Sequence, residues 1–109
     1  MPGEKVLVTG SSGFIGSHVA DVLEERDYQV ILFDAVPSKY KTNTQEEYIG
    51  DLLNPDHIAK AMKNCQYVFH FAAQADINSS SEDPTKTIHN NIIGTQNILE
   101  MARKTSVKR

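Results

Sequence analysis

A turn with three glycines at steps of three, VTGSSGFIGSHV from Val8 to Val19, constrains this chain more than any other stretch. Before it, Lys5 to Thr9 is a short valine-rich run that reads as a buried strand. After it, Phe14, Ile15, His18, Val19, Val22 and Leu23 fall at helical spacing, with Asp21, Glu24, Glu25 and Arg26 on the other face. A glycine turn that leaves a strand and opens a helix is the context a dinucleotide-binding fingerprint requires. Gly10 lets the chain leave the strand, Gly13 removes a side chain where a pyrophosphate must approach, and Gly16 brings the helix close to the sheet. The N–H groups around Phe14 and Ile15, at the positive end of the helix, suit an anion.

The remaining elements alternate in a way that sets the fold class. Gln29 to Asp34 reads as a second buried strand, Tyr48-Ile49 running into Gly50-Asp51 as a brief third, and Tyr67 to Phe71 as a fourth. Asn54 and Pro55 open a helix whose apolar side is Ile58, Ala59, Ala61 and Met62. Asp83-Pro84 opens a longer helix to about Lys104, with Ile88, Ile92, Thr95, Leu99 and Ala102 as its apolar stripe. Strands alternating with helices predict an α/β fold, a parallel sheet with helices on both faces. Ala35 to Glu47 reads as a surface loop. Asp34 ends the second strand, where its carboxylate can accept both hydroxyls of an adenosine ribose and repel a 2'-phosphate. That favours NAD over NADP, with Lys39 in the next loop the one residue arguing the other way.

Composition narrows the partners. With 39% apolar residues, 23% charged and a net charge of -3, the 109 residues match an ordinary globular domain and not a nucleic-acid binder. No apolar run approaches a membrane span, and the amino terminus lacks the features of a secretory signal, so a cytoplasmic location is expected. Cys65 is alone, and His18, His57, His70 and His89 show no ligand spacing, so no metal site is expected.

Beyond the turn, the residues resemble the extended short-chain dehydrogenase/reductases, in particular the NAD-dependent epimerase/dehydratase family that acts on nucleotide sugars. Thr9-Gly10-Ser11-Ser12-Gly13-Phe14-Ile15-Gly16 matches that family's T-G-x-x-G-x-x-G turn. Gly50-Asp51-Leu52-Leu53 is similar to its third-strand ending, where Asp51 and Leu52 lie along the adenine. His70-Phe71-Ala72-Ala73-Gln74-Ala75 is similar to its fourth-strand ending, whose backbone at Phe71, Ala72, Ala73 and Gln74 runs beside the nicotinamide ribose. Asn91-Ile92-Ile93-Gly94-Thr95 is similar to its N-x-x-G-T feature, which makes Asn91 a cofactor contact. The resemblance implies a Rossmann-type sheet in the strand order 3-2-1-4, with NAD across the carboxyl ends of the strands. Gly10, Asp34, Asp51 and Ala72 all lie at such ends. His70 itself reads as a packed strand residue.

The family's chemistry needs a tyrosine with a lysine four residues on, and an earlier serine or threonine. Tyr28, Tyr40, Tyr48 and Tyr67 are followed four positions later by Leu32, Thr44, Leu52 and Phe71, so no pair fits. The resemblance implies a single, incomplete NAD-binding domain that stops at the approach to a fifth strand and is inactive by itself. A nucleotide sugar is then a partner of the whole enzyme only. Two other readings stand beside this one. The chain could be a non-catalytic NAD-binding sensor, or a module whose Tyr67 to Phe71 edge pairs with itself or with a partner strand.

Overall fold

The computed structural model describes residues 3–35, 37, 45–71, 84–105 and 107, without the side chains of residues 84 and 86–90. Its elements run β1 (Lys5–Thr9), α1 (Phe14–Glu25), β2 (Gln29–Asp34), β3 (Glu46–Ile49), α2 (Pro55–Met62), β4 (Tyr67–His70) and α3 (Pro84–Lys104). The four strands form one sheet in the order β3-β2-β1-β4, and every pairing is parallel. The expected α/β architecture and strand order are therefore present. β3 begins earlier than expected, because Glu46 and Glu47 extend the ladder opposite Ile31 and Leu32. An edge strand tolerates such acids, since one side of it meets water.

Strand alternation divides the core cleanly. Val6, Val8, Val30 and Leu32 pack with Ala20 on one face of the sheet. Leu7, Ile31 and Phe33 pack on the other face with Ile58, Ala61 and Met62 of α2, Cys65, and Ile98 of α3. Leu7, Leu32, Phe33, Ile58 and Met62 are all completely enclosed or nearly so, and each such side chain stabilises the fold by about 2 kcal/mol. Burial pushes the Cys65 thiol up to about 11. It stays protonated at neutral pH and packs as a small apolar group.

α2 matches its sequence closely. Asn54 Oδ1 accepts the Asp56 N–H at 3.0 Å, and Pro55 occupies the first turn, where no N–H is needed. The helix is followed by Asn64 at φ 65, the left-handed conformation that asparagine adopts readily after a helix.

The other two helices depart from the expected faces. α1 turns Gly16, Ser17 and Ala20 to the sheet and leaves Phe14, Ile15 and Val22 exposed. Small residues let the helix axis approach the strands closely, so the large apolar residues are not the ones that pack. On α3 the buried positions include Gly94 and Ile98, with Met101 and Ala102 against the same core. Ile92 and Leu99, expected in the apolar stripe, are exposed at 60% and 65%. Ala102 keeps its expected place, while Ile88 lies outside the described side chains. Val107 also packs against the α2 and α3 core.

Candidate functional site

The site is built where β1 and β2 end. Gly10 follows β1 at φ 72, a conformation that costs an ordinary residue about 1 kcal/mol or more. Its N–H donates to Phe33 O at 2.9 Å, which ties the turn to β2. The turn then closes on itself: Gly13 N–H donates to Gly10 O at 3.1 Å, and Ser17 N–H to Gly13 O at 3.0 Å. A Cβ on Gly16 would lie 2.2 Å from Gly10 O and 2.9 Å from Gly10 C, so only glycine fits there. A Cβ on Gly13 would meet, among the described residues, one atom within 4 Å, Gly10 O at 3.4 Å, an ordinary van der Waals contact.

Gly13 is the N-cap of α1, and no side chain caps that helix. The first-turn N–H groups of Phe14, Ile15 and Gly16 have no partner within the helix, because a helix cannot supply one there. The exposed side chains of Phe14 and Ile15 leave the backbone of this turn as the part that can receive an anion. Such a cradle, with donors, space and the positive helix end together, fits a diphosphate.

Asp34 stands across the turn. Its Oδ2 accepts the Ser12 N–H at 3.0 Å, and its Oδ1 accepts the Ala35 N–H at 2.7 Å. Each carboxylate oxygen has a second lone pair, so the group is held in place and still able to accept a ribose hydroxyl. Lys39, argued from sequence as a counterweight, lies outside the described residues.

Asp51 and Leu52 follow β3. Asp51 Oδ1 accepts the Leu53 N–H at 2.9 Å, and the Asp51 N–H donates to His57 Nδ1 at 3.0 Å. The carboxylate thus shapes its own turn beside α2. Leu52 is fixed from α3: Asn97 Nδ2 donates to Leu52 O at 2.8 Å, and a Cβ on Gly94 would lie 3.3 Å from Leu52 Cβ. The glycine within α3 costs about 1 kcal/mol of helix propensity, and the close approach to Leu52 explains its place.

Phe71 leaves β4 with its N–H shared between Thr9 O and Thr9 Oγ1, both at 3.1 Å. Ala72, Ala73 and Gln74, expected along the nicotinamide ribose, lie outside the described residues. Asn91 is half-buried on α3, one turn before Thr95. Sequence spacing gave no hint of the group that joins Thr95 to β1 and β4. His70 Nδ1 lies 2.6 Å from Thr9 Oγ1, and His70 Nε2 lies 3.1 Å from Thr95 Oγ1. Burial lowers the imidazole pKa below its ordinary value of 6.5, which keeps the ring neutral at physiological pH. Finding this contact requires the register Thr9↔His70 across β1 and β4. Among the described residues no group of His, Cys, Asp and Glu is arranged to hold a metal.

A parallel sheet in this order, helices on both faces and a glycine turn opening α1 define the Rossmann class of α/β folds. A sequence profile of the NAD dependent epimerase/dehydratase family matches residues 6–109. The chain belongs to that family. It is 32% identical to a UDP-glucose 4-epimerase of Pisum sativum, covering 97% of this chain and 35% of the relative. It is also 32% identical to a 3-beta-hydroxysteroid dehydrogenase of Mycolicibacterium neoaurum, over 96% of this chain and 30% of the relative. Among solved structures, a UDP-glucose 4-epimerase of Thermotoga maritima with UDP-glucose superposes with a TM-score of 0.87 at 36% identity, over 95% of this chain and 35% of that one. The chain spans about a third of the length of these relatives.

Proposed function

We propose that this chain is the NAD-binding portion of a nucleotide-sugar epimerase or dehydratase. The observation that carries the reading is the cradle at the start of α1, with its uncapped N–H groups, its glycine-lined space and Asp34 bonded across it. The first-turn N–H groups of α1 would hold the pyrophosphate, and Asp34 would accept the adenosine ribose hydroxyls. Asp51 and Leu52 would line the adenine, while Phe71, Ala72, Ala73, Gln74 and Asn91 would border the nicotinamide half. Bound NAD would supply a hydride acceptor. The chain's own part is to bind and orient, since no Tyr-x-x-x-Lys pair lies within these residues. The relatives named as an epimerase and as a steroid dehydrogenase both contain this segment. That supports placing the choice of reaction elsewhere in the polypeptide.

Calorimetric titration of the chain with NAD and NADP tests the reading. NAD is expected to bind the more tightly. Asp34→Ala removes the ribose acceptor and is expected to weaken NAD by roughly tenfold, as one or two hydrogen bonds to a charged group are lost. Equal affinities for the two cofactors, unchanged in the variant, would rule out the ribose role.

A second reading concerns β4. This strand pairs with β1 alone among the described residues, and Phe69 within it and Phe71 just after it are 39% and 41% exposed. An apolar parallel edge of this kind pairs readily with another strand. The chain is accordingly expected to self-associate with rising concentration. Light scattering that reports a constant monomer mass up to millimolar concentration would dismiss the idea.

A further inference from the structure

We propose that His70 is a positioning residue for the dinucleotide site: bonded through one ring nitrogen to Thr9 and through the other to Thr95, it ties β1 and β4 to α3 just below the crevice. The proposal rests on the cofactor reading given above.

Thr9 is the last residue of β1, and its successor Gly10 begins the glycine turn. His70 is the last residue of β4 and lies opposite Thr9 in register, so both side chains emerge on the face that α2 and α3 cover. The backbone ladder between the two strands ends here, at Phe71 N–H to Thr9 O. The imidazole continues the link with side chains, at 2.6 Å to Thr9 Oγ1 and 3.1 Å to Thr95 Oγ1.

A neutral imidazole has one accepting and one donating nitrogen, and a hydroxyl can serve either. The ring therefore satisfies both threonines at once, and its lowered pKa keeps it in the form that does so. Thr95 and Asn91 are four positions apart on α3, so they share a face about one turn apart. In a parallel α/β unit the helix runs back against its strand, which sets Asn91 farther out beyond the end of β4 than Thr95. A helix moves as a rigid rod over one turn. Holding Thr95 to His70 thus holds Asn91 at a fixed offset from the glycine turn, so the two walls of the crevice do not drift apart. Displacements of about 1 Å at such positions are enough to weaken binding strongly.

The test is a set of variants of the full chain, each titrated with NAD at neutral pH and melted by circular dichroism. His70→Phe keeps an aromatic ring on the strand and removes both contacts. Thr95→Val removes only the hydroxyl at an exposed helix position, and Thr95→Ser restores it. Thr95→Val is expected to bind NAD about fivefold more weakly, as for one lost hydrogen bond, and His70→Phe more weakly still. Thr95→Ser is expected to bind as the unmodified chain does. Should His70→Phe fail to fold, the valine and serine pair decides alone. Unchanged affinity in Thr95→Val, or equal losses in the valine and serine variants, would overturn the clamp and leave the cofactor reading standing. An unmodified chain that binds no NAD overturns the cofactor reading itself, and the purpose of the clamp with it.

Discussion

Gly16→Ala is expected to lower the melting temperature by roughly 10–20 °C, as about 2–3 kcal/mol of overpacking does in a domain of this size. Helix propensity alone points the opposite way, since alanine is favoured over glycine in a helix by about 1 kcal/mol. The collision decides the sign. The new Cβ would stand 2.2 Å from Gly10 O, 2.9 Å from Gly10 C and 3.2 Å from Ser11 Cα. All three are backbone atoms, and Gly10 is pinned by its bond to Phe33 O. No side-chain rotation relieves the contact, so either the turn opens or α1 lifts from the sheet. A thermal melt followed by circular dichroism reads this directly. A melting temperature equal to or above that of the unmodified chain would show that the helix and turn are not locked together as described.

Three residues earlier the expectation separates folding from binding. Gly13→Val is expected to leave the sheet intact and to weaken NAD by about two orders of magnitude or more, a loss of roughly 3 kcal/mol. Gly13 has φ -82 and ψ 168, an extended conformation in which a β-branched residue is at ease. Its Cβ would face one described atom, at 3.4 Å, so the described residues leave room for it. Valine at an N-cap costs about 1 kcal/mol relative to glycine, which limits the change in melting temperature to a few degrees. The methyl groups would fill the space beside the first-turn N–H groups, where the pyrophosphate is proposed to lie. Calorimetry with NAD on a variant that melts near the unmodified chain is the decisive measurement. Retained affinity would place the phosphates elsewhere.

The sheet was legible in the sequence because its strands are short apolar runs bounded by turn residues, and because its connections alternate with helices. β2 is the clearest case: QVILFD is both the apolar run and the strand, and it ends on Asp34, the acid proposed to take the adenosine ribose. The N-terminus of α2 was equally plain, since a cap acts within three residues of sequence. The faces of α1 and α3 were not. Spacing arguments follow bulky apolar residues, whereas α1 packs through Gly16, Ser17 and Ala20 and α3 closes on Leu52 through Gly94. Close packing of this kind depends on what is absent from a side chain. The His70 contact was hidden for a different reason, because Thr9 and His70 stand 61 positions apart and meet only through strand register. The glycine turn, read first as a local signal, proves to depend on two distant groups: Phe33 O holds its first residue and Asp34 braces Ser12.

The strand order also carries a consequence for biosynthesis. β1 leaves the ribosome first, yet it occupies an inner position between β2 and β4. Val6 pairs with Tyr67, 61 positions later. At about 5–20 residues per second, translation leaves β1 without that neighbour for roughly 3–12 s. Throughout this interval its valines and leucine present an unpaired apolar edge to solvent or to whatever chaperone surrounds the nascent chain, so that of the four strands described β1 has the longest exposure to misassociation.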